Sequence, residues 1–287
     1  MHRIHPETCT HHIYTDSNVK PVRQPQRRMN PMLQDIVREE LQKLLRVNFI
    51  YTISDSQWVS PLVVVPKKNG KWRICVDYRQ LNKATPKDYF PLPFIDQVLD
   101  TLAGKSSSSF LDGFSGYNKI RIALENQDKT TFTCPWGTYA YNVFPFGHCN
   151  ALATFQRAVL AIFADLVHDC VEVYMDDFSV YGDSFEHSLT NLEKVLKRCI
   201  EANLSLSNEK CFIMLNEGIV LGHYISSHDI KVDPSKIQII VNFPIPKTQK
   251  EVRSFLGYAS YYRRFIEHFS RIALPLFKLL AKDAPFN

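Results

Sequence analysis

The stretch Tyr174-Met175-Asp176-Asp177 constrains this 287-residue chain more than any other. Apolar residues alternate on both sides of it, with Val171, Val173 and Met175 before and Phe178 and Val180 after. That pattern predicts two short strands joined by a tight turn, with both acids at the tip of a hairpin. Adjacent carboxylates held rigidly repel each other unless a cation stands between them. Hard divalent ions suit the position, because they take oxygen ligands and carry the charge that buried aspartates cannot tolerate alone. The plainer reading is a solvated turn, where Asp is an ordinary residue, and a four-residue motif does not decide between the two.

A second segment shifts the balance. Phe110-Leu111-Asp112-Gly113-Phe114-Ser115-Gly116-Tyr117 sets one carboxylate at the end of a short apolar strand, beside two glycines that let a ligand approach the backbone. Three aspartates on neighbouring strands can hold two metals about 4 Å apart, the clamp used for phosphoryl transfer. The chemistry indicated is that of a polymerase or a nuclease.

A hydrophobic content of 45% supports a globular chain with real cores. Neither a run of about 18 uncharged apolar residues nor a signal-like N-terminus is present, so the expectation is no membrane insertion and no secretion. Seven scattered cysteines without CxxC spacing point to reduced, intracellular thiols. The net charge of +5 is unevenly spread: residues 61–91 carry seven Lys/Arg against two acids, 247–282 carry eight against two, and 92–246 carry eleven against eighteen. Basic flanks around an acidic middle suit a protein that grips phosphate backbones at its edges and metal ions at its centre, although solvated charged faces would look the same.

Residues 1–30 are polar and lack periodic apolar positions, which predicts a flexible arm. The histidines and cysteine at 2, 5, 9, 11 and 12 match no usual zinc spacing. An amphipathic helix is expected over 32–47, then strands at 62–65 and 72–78 joined by a basic turn with Asn-Gly at its tip. A helix introduced by prolines should span 91–102. Ser106–Ser109 form an unusual lead-in to the strand of Asp112. Short strands are expected over 118–145, a helix over 150–167, the acidic hairpin, a helix over 184–203, and strands at 211–215 and 218–225. Three helical stretches follow, at 234–242, 248–265 and 269–281. Mixed helices and strands without regular alternation predict an α+β fold, an antiparallel sheet with helices on one face.

Several ordered segments resemble the reverse transcriptase of gypsy-type long-terminal-repeat retrotransposon polyproteins, particularly the plant lineages. They include Trp58-Val59-Ser60-Pro61, Trp72 to Asn82, Phe90-Pro91-Leu92-Pro93, Phe110 to Tyr117, Phe144-Pro145-Phe146-Gly147, Ala153 to Arg157, Tyr174 to Asp177, Leu221-Gly222-His223, Arg253 to Gly257 and Tyr261 to Phe265. The likeness runs from about Cys9 to Phe286. It implies a right-hand polymerase, with fingers and palm within 31–228 and a small helical thumb over 229–287 that ends before any RNase H domain.

The resemblance further implies an RNA-directed DNA polymerase using a primed RNA or DNA template, deoxynucleoside triphosphates and two Mg²⁺ ions, with Mn²⁺ as a possible substitute. Asp112, Asp176 and Asp177 would be the metal triad, joined by the Gly113 carbonyl. Lys67, Lys68 and Arg73 would meet the triphosphate. Tyr117, after Gly116, would stack beneath the incoming sugar and exclude a 2′-hydroxyl. Phe146 and Gly147 would border the nascent base pair, with Gln156 and Arg157 nearby, Arg157 towards the template. Leu221, Gly222 and His223 would grip the primer terminus, Lys210 would protonate pyrophosphate, and Arg253, Arg263 and Arg264 would hold nucleic-acid phosphates.

Lys119, His148, Ala151 and the serines at 106–109 depart from the family pattern without removing a metal ligand. They leave open a second reading, an inactive remnant that still binds nucleic acid. A metal-dependent nuclease is a third. Oligomeric state and compartment are not legible.

Overall fold

The computed structural model describes residues 3–66, 70, 72–114 and 116–281. Residues 3–30 correct the expectation of a loose arm. Ile4 and Ile13 are fully buried, Ile4 N–H donates to Lys119 O at 3.1 Å, and β1 (Thr10–His11) pairs in parallel with β6 (Arg121–Ile122). Two isolated isoleucines anchor a segment that forms almost no regular structure, so no periodicity announces it.

Helix α1 (Pro31–Arg46) begins where Asn30 accepts a hydrogen bond from Leu33 N–H and Pro31 fills the first turn. It buries Val37 and Leu41. The strands β2 (Ile50–Thr52), β3 (Ser60–Pro66), β4 (Trp72–Val76), β7 (Phe132–Cys134) and β8 (Gly137–Tyr141) form one sheet in the order β2-β8-β7-β3-β4. The β3–β4 hairpin is the predicted one; Lys67 and Lys68, in its turn, lie outside the described residues.

Helix α2 (Arg79–Ala84) is too short for its periodicity to show, burying only Leu81 and Ala84. Helix α3 (Ile95–Leu102) starts four residues later than expected. Pro91 and Pro93 disfavour helical backbone in the residues before them, and Phe94 remains extended.

The central sheet orders β11 (Phe212–Leu215), β5 (Ser107–Asp112), β10 (Asp177–Gly182) and β9 (Val171–Tyr174), all antiparallel. The serine lead-in does not weaken β5: Ser107, Ser108 and Ser109 are buried strand residues. Ser109 Oγ accepts from Met214 N–H at 3.0 Å, and Ser107 O accepts from Ser188 Oγ at 2.9 Å. Helix α4 (Ala151–Ile162) packs on β9, and α5 (Phe185–Glu201) on β10 and β5. Helix α4 stops short of 167 because the chain turns back through 163–170 to start β9.

A second small sheet, β12 (Glu217–Val220), β13 (His223–Ser226) and β14 (Ile230–Val232), leads to α6 (Pro234–Val241), α7 (Gln249–Tyr261) and α8 (Phe269–Lys278). Val252, Leu256 and Ala273 form a separate core between α7 and α8. No helix among the described residues is long and apolar enough to cross a membrane.

Candidate active site

Strands β5 and β10 pair in a register that sets Asp112 directly opposite Asp177. Asp176 sits in the β9–β10 turn, after Met175, whose φ of 57° is unusual for a residue with a side chain. Gln156, fully buried on α4, holds this turn: its Oε1 accepts from Met175 N–H at 2.7 Å and its Nε2 donates to Val173 O at 3.0 Å. Gly113 N–H donates to Asp176 O, and Ser207 N–H to Asp112 O, both at 2.8 Å. Backbone bonds thus tie together the two acidic segments that lie more than sixty positions apart in the sequence.

Burial and the neighbouring carboxylates push Asp177 above the usual Asp range. Asp176 is also raised, chiefly by burial and partly by Asp112, against a hydrogen bond from the Tyr117 hydroxyl. Lys210 Nζ stands 3.0 and 3.2 Å from the two Asp112 oxygens, and its own pKa is raised by that bond. A cavity of about 430 Å³ opens on Asp112, Asp177, Lys210, Leu221 and Gly222.

Among the described residues no three metal-ligating side chains already stand close enough to enclose one ion, and Asp112 leans on Lys210 instead. The donor set nevertheless fits a hard divalent cation. Three carboxylates lie within electrostatic range of one another, and two of them are kept from ionising easily by burial and like charge.

The Tyr117 ring lies against Phe146 (5.1 Å between centroids) and Phe155 (5.2 Å), and the Arg73 guanidinium lies 5.6 Å from the Phe146 ring. A continuous line of contacts runs from Arg73 through two aromatic rings to Asp176. Gly116 is required for this packing, since a Cβ there would fall 2.5 Å from the Phe155 ring. Gly147 has a φ of 99°, open to glycine, and its carbonyl accepts from Asn82 Nδ2 at 2.8 Å while Asn82 Oδ1 accepts from Cys149 N–H at 2.9 Å. Sequence reasoning missed Asn82 as the pin of this loop, although it closes the quoted segment from Trp72.

Two expected contacts are corrected. Gln156 does not face substrate, because both ends of its buried amide are engaged with the hairpin. His223 is 1% exposed, so its ring cannot meet a primer; Leu221 and Gly222 border the cleft in its place. Arg157 is forked onto Asp88 at 2.8 and 2.9 Å, and Arg264 pairs with Asp100 at 2.8 Å and Asp96 at 3.4 Å. Arg253 and Arg263 are exposed on the helical unit. The unusual His148 is buried beside His11, and among the described residues neither of its ring nitrogens has a partner.

An antiparallel sheet carrying paired acids, a second sheet that brings a cation towards them and a helical unit at the far end define a right-hand polymerase. Residues 65–260 match the family described as reverse transcriptase (RNA-dependent DNA polymerase), and the chain belongs to that family. It is 37% identical over 257 residues to the retrovirus-related Pol polyprotein from transposon 412 of Drosophila melanogaster, covering 88% of this chain and 21% of that one. With the Tf2-3 polyprotein of Schizosaccharomyces pombe it shares 34% over 223 residues, 78% and 17% of the two chains. The chain therefore spans about a fifth of the length of these curated relatives. Fly and yeast relatives give no support to the plant lineage that the motifs had suggested; the long-terminal-repeat retrotransposon class stands. The foamy viral protease-reverse transcriptase superposes with a TM-score of 0.86 in complex with double-stranded DNA (28% identity, 100% of this chain, 59% of that one). In complex with an RNA/DNA hybrid it superposes with 0.83 (27%, 99% and 38%).

Proposed function

We propose that this chain is the RNA-directed DNA polymerase part of a long-terminal-repeat retrotransposon polyprotein, adding deoxynucleotides to a primer 3′-hydroxyl. The observation that carries the reading is the register of β5 against β10, with Asp112 facing Asp177 and Asp176 one residue away. Fingers and palm are read within 31–228 and the thumb over 229–287, a division supported by the separate α7–α8 core.

Asp112, Asp176, Asp177 and the Gly113 carbonyl would hold two Mg²⁺ ions, or Mn²⁺ in their place, and the charge so supplied would lower the pKa of the attacking hydroxyl and neutralise the leaving pyrophosphate. The chain's own residues do the positioning. Arg73, with Lys67 and Lys68, meets the triphosphate, where a guanidinium can fork to two oxygens. Tyr117, wedged between Phe146 and Phe155, is a stiff wall beneath the sugar. Lys210 supplies the ammonium that protonates the departing pyrophosphate from the edge of the same cleft. Leu221 and Gly222 seat the primer end, and Arg253, Arg263 and, to a lesser degree, Arg157 meet backbone phosphates. Primed RNA or DNA as substrate is supported by the two duplexes bound by the foamy viral neighbours. Seven unpaired cysteines support action inside the cell.

Primer extension on an RNA template with Mg²⁺ tests the reading. The parent should extend the primer and Asp176→Asn should not, while both bind the duplex equally. A parent that binds the duplex and extends nothing would establish the inactive-remnant reading instead.

A further inference from the structure

The turn between β12 and β13 is built from two left-handed residues, Leu221 (φ 46°) and Gly222 (φ 70°). A leucine persists there only when its surroundings over-determine the conformation. Those surroundings come from the far end of α7. The Tyr261 hydroxyl donates to Leu221 O, and the Tyr262 hydroxyl donates to Gly222 O at 2.9 Å. Tyr261, Tyr262 and Phe265 enclose the His223 ring at centroid distances of 5.3, 5.2 and 5.8 Å, and His223 Nδ1 donates to Leu221 O at 2.9 Å. Between the aromatic pair and Phe265 in sequence, Arg264 pairs with Asp100 and Asp96 on α3. One five-residue run therefore fastens the helical unit to both the turn and α3. The same turn lines the cleft that holds Asp112 and Asp177.

We propose that Tyr261, Tyr262 and Arg264 form a latch that sets the height of the 221–222 turn against the carboxylates. They would be positioning residues through which docking of the thumb fixes where a primer end sits. The inference rests on the polymerase reading above. It assigns Arg264 a protein partner in place of a phosphate, and it gives the buried His223 a role as the filler around which the latch closes.

The test uses the full chain carrying Tyr261→Phe with Tyr262→Phe, which removes two hydroxyls and keeps both rings. Single-nucleotide incorporation is measured on a preformed primer–template complex, together with the nucleotide KM, duplex affinity and the thermal midpoint. The latch predicts a maximal rate lowered roughly fivefold for each hydroxyl, the factor that one ordinary net hydrogen bond represents. Nucleotide KM should stay at the parent's value, and the rates are read well below every variant's thermal midpoint, so that the stability lost with two hydrogen bonds does not enter them. Separately, Arg264→Gln should lower the rate and Arg264→Lys should recover part of it. A double Phe variant that matches an active parent in rate overturns the latch, as does a loss of rate that disappears when the assay temperature is lowered further below the variant's thermal midpoint. A parent inactive on every template would remove the polymerase reading itself, and the latch's role with it, which is a different and recognisable result.

Discussion

The buried amide of Gln156 offers the most searching test of how the acidic hairpin is held. Gln156→Met keeps the side-chain volume inside α4 and removes only the polar end, so packing is disturbed little. Two groups lose their partner: the N–H of Met175 and the carbonyl of Val173. Each unsatisfied group costs about 1–3 kcal/mol when buried; the Val173 carbonyl is buried and the Met175 N–H partly so, which gives about 2–4 kcal/mol in total. Met175 also loses the bond that holds it at φ 57°, a conformation that costs a side-chain-bearing residue about 1–2 kcal/mol. The hairpin tip, free to relax, then spends less time with Asp176 and Asp177 in place. With each 1.36 kcal/mol worth tenfold, single-turnover incorporation should fall by roughly 30-fold to 1000-fold. A second substitution separates strain from chemistry: Met175→Gly tolerates the left-handed turn unaided, so in the Gln156→Met background it should restore part of the lost rate. Rapid-quench incorporation on the four proteins of this cycle measures the coupling. A Gln156→Met enzyme within twofold of the parent, or a Met175→Gly change that is equally harmful in both backgrounds, would refute the clamp.

Further outcomes follow from packing and from titration. In Gly182→Ala the new Cβ would lie 2.5 Å from Ser188 N and 2.8 Å from its Cα, backbone that cannot step aside, so α5 must shift on β10. A loss of about 1–3 kcal/mol or more is expected, read as a lowered midpoint in urea. Burial holds His11 down to about 3 and His148 to about 4, against 6.5 unperturbed. The unfolded chain thus takes up these protons first, and the stability that neutral histidines provide is complete above pH 6.5 and lost as pH falls towards 4. At pH 5 each accounts for about 2 kcal/mol, less when summed because the two rings interact. Urea unfolding at pH 7 and pH 5 measures the loss, and His148→Leu should flatten the dependence.

What could be read from the residues alone was whatever rests on local pattern. The hairpin of Asp176 and Asp177, the β3–β4 ribbon and the capped helix α1 are each specified by alternation, turn chemistry or an N-cap within a dozen positions. The convergence of Asp112 with Asp177 was legible only as an inference from two motifs, since register between β5 and β10 is decided by what each face buries, Leu111 and Phe178 among them. Contacts that depend on a distant partner were not legible. Gln156, Tyr262 and Arg264 are polar residues on a helix or at its end, and nothing in their neighbours distinguishes a hydrogen bond to protein from one to substrate. The buried serines of β5 failed for a related reason: propensity counts Ser against a strand, but Ser109 is satisfied by Met214 N–H from β11, a strand a hundred residues away. The site is therefore held from behind by polar side chains that look, in sequence, as though they should face the ligand. Such residues deserve mutation alongside the acids, because losing them would leave every carboxylate present and displace the geometry those carboxylates need.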